Sequence, residues 1–136
     1  MAASMPANAV VVPDQAEVNL NPDVAYLEDP GGRLTLEEVS SGRFAERFRL
    51  HDEDSAPNFG LSDSVWWLRL ELEPAVPEPT DYLLEVGYFG LVDVHFYPPG
   101  GPELRTGYNE AVDERPLPHR HFLFPVMLHG DSVQTY

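Results

Sequence analysis

Residues 58–73, NFGLSDSVWWLRLELE, alternate between apolar and polar side chains over their second half. In an extended chain, successive side chains point to opposite faces. Trp66, Leu68, Leu70 and Leu72 therefore share one face, which is wholly apolar and reads as core. Trp67, Arg69 and Glu71 share the other, which is aromatic and charged. LVDVHFY (91–97) repeats the design, setting Val92, Val94 and Phe96 against Asp93, His95 and Tyr97. Residues 82–88 and HFLFPVML (121–128) are further strands, and SVQTY (132–136) opens a last one at the end of the sequence.

Helical signals are short. In LTLEEVSSG (34–42), Thr35 precedes Glu38 by three residues, the pattern of a capping box, and Gly42 reads as a stop. RFAERFRL (43–50) fits strand and helix equally well. The 14 prolines and 10 glycines punctuate the rest, as in DPGGR, EPAVPEPTD and PPGGPE, and leave no room for long helices. Short strands at regular turns predict an all-β sandwich with one short helix. Residues 1–15 read as a flexible lead-in, without the basic and apolar regions of an intact signal peptide, and 16–136 as one domain.

Charge narrows the function. The net charge is −15, and all the basic residues are arginine. Such a surface repels phosphate backbones and anionic lipid heads, so neither nucleic acid nor a membrane surface is expected as a partner. The absence of cysteine excludes disulfides, thiolate metal sites and thiol catalysis. No nucleophile motif, phosphate loop or marked carboxylate pair points to an enzyme, and no cofactor is expected.

Three groups of residues could bind a ligand. Trp67 beside Arg69 suits a sugar or a carboxylate: the ring covers C–H faces and the guanidinium holds oxygens. The alternative is a ring packed under a loop and an arginine paired with a carboxylate. Asp93, His95 and Tyr97 would extend that platform if adjacent in the sheet, or form an ordinary solvated face. ERPLPHRHF gathers Arg115, His119, Arg120 and His121 in an otherwise acidic chain, either to attract a small anion or to anchor their own loop. His119 and His121 are two apart, a spacing common by chance, so no metal site is expected. HDED (51–54) with Asn58 lacks the glycine and spacing of a calcium loop and reads as a solvated acidic loop.

YLEDPGGRLTLEEV, FGLSDSVWWLRLEL, YLLEVGYFGLVDVHFY and ERPLPHRHFLFPV occur in an order and spacing that resembles one family. It is the type-2 periplasmic sensor domain of bacterial seven-transmembrane receptors with diverse intracellular signalling modules. The resemblance covers residues 24–136. It implies a jelly-roll β-sandwich similar to carbohydrate-binding modules, on the periplasmic side of the inner membrane. Membrane helices and a histidine kinase or diguanylate cyclase output would lie in the missing part of the receptor. Where the family often has Gly-Asp after the hairpin, this chain has Gly107-Tyr108, and its closing strand stops at Tyr136 before the usual arginine.

The expectation is a non-catalytic sensor binding a small polar ligand, a sugar or a carboxylate, through Trp67, Arg69, Asp93, His95, Tyr97, Arg115, Arg120 and His121. The shortened last strand would leave a sheet edge open to a second copy. The alternatives are a protein-interaction or dimerisation module and the carbohydrate-binding module of a secreted enzyme.

Overall fold

The computed structural model describes residues 9–13, 17–87, 91–108, 111–115, 117, 121–130 and 133–136. In chain order the elements are β1 (Val10–Val12), β2 (Ala25–Asp29), α1 (Leu36–Val39), α2 (Gly42–Ala45), β3 (Arg49–Leu50), β4 (Val65–Arg69), β5 (Glu71–Pro74), β6 (Thr80–Val86), β7 (Val94–Phe96), β8 (Leu104–Thr106), β9 (Phe122–Leu128) and β10 (Gln134–Thr135). The fold is all-β, with short strands in several small sheets and two one-turn helices. Among the described residues no helix is long and apolar enough to cross a membrane.

The chain forms two compact units, one holding Gln15–Glu71 and the other Leu72–Tyr136 together with most of β1. In the first, the antiparallel sheet runs β3-β2-β4, with Tyr26 opposite both Arg49 and Leu68, and Leu27 opposite Trp67. Thr35 caps α1: Glu38 N donates to Thr35 Oγ1 at 3.2 Å, and Thr35 Oγ1 donates in turn to Glu38 Oε1 at 3.2 Å, a bond between side chains. Gly42 does not end the helical region but begins α2 after Ser41. The ambiguous 43–50 segment divides, its first three residues in α2 and its last two in β3. Val24, Ala25, Val39 and Phe44 are buried, with the Arg43 and Arg47 guanidiniums over the Phe44 ring.

In the second unit, β6 and β9 pair antiparallel along their full length, from Thr80 opposite Leu128 to Val86 opposite Phe122. The strand expected at 121–128 forms, and its burial alternates: Phe122, Phe124, Val126 and Leu128 are buried, while Pro125 and Met127 are exposed. Phe96 of the β7-β8 hairpin stacks on Phe124 at 4.5 Å between centroids and on Tyr136 at 5.8 Å, which builds an aromatic column onto that face. Burial pushes the Tyr136 hydroxyl above the usual tyrosine range. β5 lies between β1 and β10, which makes β10 an outer strand. Gly107 is forced by packing: a Cβ there would run into the backbone carbonyl of Val92.

The alternating run through the two tryptophans is not one strand. Leu70 breaks it, and 65–69 pair with β2 while 71–74 pair in the β1-β5-β10 sheet. Its apolar positions therefore meet different surroundings. Leu72 is buried in the second unit, whereas Leu68, in the first, is 48% exposed. The single wholly apolar core face expected from 66–72 does not exist.

Candidate functional site

Paired strand residues share a face, so the register of β2 and β4 defines two surfaces. Ala25, Leu27 and Asp29 lie with Arg69, Trp67 and Val65; Tyr26 and Glu28 lie with Leu68 and Trp66. The first surface contains the buried residues, Ala25 and Asp29. Asp29 accepts from the backbone N–H groups of Arg33 at 3.2 Å and Leu34 at 3.0 Å, and from the Trp67 indole at 3.4 Å. Burial of the carboxylate raises its pKa, but these donors together outweigh burial and hold it below the usual value of 3.8. Asp29 thus fixes the DPGGR turn and ties it to Trp67.

Arg69 is equally engaged. Its guanidinium lies 4.4 Å above the Phe48 ring, and its Nε is 4.0 Å from Glu71 Oε1. The partner carboxylate is two residues along the chain, not across the sheet. Trp67 and Arg69 stand in the half-buried fabric of this surface; Trp66, half-buried as well, belongs to the opposite one.

On that opposite surface, Trp66 and Phe59 stack face to face, their centroids 3.9 Å apart and their planes 4° from parallel. Tyr26 leans against both, at 5.3 Å from Phe59 and 6.2 Å from Trp66. The Trp66 Nε1 is buried and finds no hydrogen-bond partner among the described residues. Beside these rings is a cavity of about 270 Å³ lined by Tyr26, His51, Glu53, Ser55, Ala56, Asn58 and Phe59.

The loop that walls the cavity is pinned. Asn19 and Asn21 both donate to the Asp54 carbonyl at 3.0 Å. His51 N donates to Val24 O at 2.9 Å, and Asp52 N to Pro22 O at 3.2 Å. The His51 ring donates from Nε2 to the Ser55 carbonyl at 2.7 Å, and Asn58 Oδ1 accepts from Gly60 N at 2.9 Å. A wall held this way keeps its shape without a ligand, which lowers the ordering cost of binding. HDED with Asn58, read from sequence as a solvated loop, is one side of a shaped cavity.

The remaining candidate residues belong to the second unit. On the β7-β8 hairpin, His95 opposes Arg105. His95 Nε2 is 3.1 Å from Asp93 Oδ2, and Nδ1 is 2.7 Å from Glu103 Oε1. Arg105 reaches each of those carboxylates at 3.7 Å, and the Tyr97 hydroxyl is 3.4 Å from His95 Nδ1. Burial pushes the Tyr97 hydroxyl above its usual range, the Glu103 and Asp93 carboxylates add to the rise, and Arg105 opposes it. Asp93 and His95 are therefore partnered with each other and with β8. Arg115 covers the face of the buried Phe122 at 4.9 Å, and His121 contacts the Glu85 carboxylate on β6. Both contacts lie at the start of β9. Arg120 and His119 lie outside the described residues. Among the described residues no group of three or more histidine or acidic side chains is placed to hold a metal ion.

The family model described as 7TMR-DISM extracellular 2 matches residues 21–136, across both units. The chain belongs to this family. It is an extracytoplasmic sensor domain of seven-transmembrane receptors, and its place is the periplasmic side of the membrane. Neither a search of curated proteins nor a search of solved structures returned a match. In this 7TMR-DISM extracellular 2 domain, the cavity of the first unit sets aromatic rings beside polar side chains.

Proposed function

We propose that the chain is the non-catalytic, ligand-sensing part of its receptor, and that a small polar ligand seats in the cavity lined by Tyr26, His51, Glu53, Ser55, Asn58 and Phe59. The observation that carries this reading is the pairing of a pinned polar loop with a three-ring aromatic cluster at one cavity. Aromatic rings offer a large apolar contact at small entropic cost, and the loop offers fixed hydrogen-bonding groups. Trp67 and Arg69 serve this site from behind, by holding β4 and the DPGGR turn in place. Of the two ligand classes that sequence suggests, the cavity disfavours a carboxylate, because Glu53 lines it and no arginine among the described residues does.

In this reading, occupancy alters the packing or pairing of the sensor and drives a cytoplasmic kinase or cyclase, because a ligand acts only through its differential affinity for two receptor states. Pairing through the outer strand β10 is one such route. Thermal unfolding with a panel of sugars, amino acids, amines and divalent ions tests the binding claim. A compound that binds the native cavity raises the midpoint by mass action. The reading requires that this rise disappear in Phe59→Ala, and a rise unaffected by that change contradicts it.

A further inference from the structure

We infer that the cavity in the first unit selects an organic ammonium ion; this rests on the cavity being the sensing site and names its ligand class. The lining is rich in acceptors. Glu53 presents a carboxylate, and its side chain is 68% exposed, open to an incoming group. The His51 Nε2 hydrogen is committed to Ser55 O at 2.7 Å, and Glu53 Oε2 lies 4.0 Å from the same nitrogen. Tyr26 and Ser55 contribute hydroxyls. A cationic ligand matches a wall that presents the Glu53 carboxylate better than a carboxylate does, which can only accept and would meet like charge.

The field points the same way. Asp52 and Asp54 flank Glu53 in the loop, and Glu28 shares the sheet face of Tyr26 and Trp66. The whole chain carries −15. A cavity lined by one sign of charge raises the local concentration of the opposite ion. Arg49 faces Tyr26 in the register of β3, but it does not line the cavity. Tyr26 and Phe59, the rings that line the cavity, supply the second half of the recognition: aromatic rings attract a cation, and quaternary ammonium groups, large and weakly hydrated, gain most from rings beside a carboxylate. The pinned loop and the Phe59–Trp66 stack hold both halves in place before the ligand arrives.

Choline and its neutral isostere 3,3-dimethylbutan-1-ol separate charge from shape. Calorimetric titration of the 136-residue chain is expected to give choline binding at least about tenfold tighter than the alcohol. Glu53→Gln, at a side chain that is 68% exposed, should weaken choline by about tenfold and leave the alcohol unchanged. Equal binding of choline and the alcohol overturns the ammonium assignment. So does tighter binding of glucose, acetate or calcium in the same cavity, although each of those three outcomes keeps the sensing site. If neither choline nor any of these compounds perturbs Trp66 fluorescence or binds by calorimetry, the ammonium assignment and the cavity reading fall together.

Discussion

The Trp67 indole donates to Asp29 Oδ2 at 3.4 Å, and the same carboxylate accepts from the backbone of Arg33 and Leu34. One buried side chain thereby joins a turn to a strand almost forty residues away. Replacing Asp29 with Ala leaves two backbone donors and an indole without their acceptor. The expected loss is about 2–3 kcal/mol, since hydrogen bonds to charged groups are the stronger ones and orphaned donors add a desolvation cost. Denaturant unfolding measures it. A loss below about 0.5 kcal/mol, the range of ordinary surface changes, would mean that the turn holds without the carboxylate.

The same group sets an acid limit. Its pKa in the folded chain is below the usual 3.8, so its contribution is fully present above the unfolded value and is lost as pH falls through the folded one. Stability should therefore decline below about pH 4, and Asp29→Asn should flatten that decline. Unfolding midpoints of the two chains over the acid range test this; parallel curves would remove Asp29 as a source of the slope.

The two tryptophans should separate. Trp67→Phe keeps the ring and removes the N–H that Asp29 accepts, so it should cost about 1 kcal/mol without affecting ligand affinity. Trp66→Ala should abolish binding at the cavity, because it removes the support behind Phe59. If ligand affinity falls with Trp67→Phe and survives Trp66→Ala, the functional ring is the other one.

Gly107 has no room for a side chain, since its neighbour is the Val92 backbone, which cannot swing aside as a flexible side chain would. Gly107→Ala should cost about 1–3 kcal/mol through forced backbone shifts in the second unit. The thermal midpoint reports this, and an unchanged midpoint would show that the loop before β7 yields freely.

The hairpin network is exposed and should contribute little. Pairs of this type in high dielectric are each worth about 0–1 kcal/mol. His95→Ala should leave both the stability and the ligand affinity nearly as they were. A large fall in affinity, read by titration, would move the binding site to the second unit.

Much of this architecture is legible in the chain. Thr35 and Glu38 announce α1, and FLFPVML announces β9, because each depends on neighbours three residues away or fewer. The run through Trp66 and Trp67 gives the alternation correctly but not the surroundings of each face. Leu70 divides the run between two sheets, and Asp29, a residue typical of turns, is buried and draws Trp67 to its side. Hydrophobicity along a segment carries no information about a partner that arrives from another strand. The cavity is hidden for the same reason. Tyr26 and the His51–Phe59 loop come from separate stretches, and that acidic loop has the composition of any solvated loop. Its pinning by Asn19 and Asn21 emerges only in three dimensions.

Amide and indole chemical-shift mapping of the labelled chain during titration with choline tests the central claim most directly. The account predicts shifts concentrated at His51, Glu53, Ser55, Asn58 and Phe59 and at the Trp66 indole, with the Trp67 indole and the β7-β8 hairpin nearly still. Shifts centred on Asp93, His95 and Tyr97, or none anywhere at saturating ligand, would contradict it.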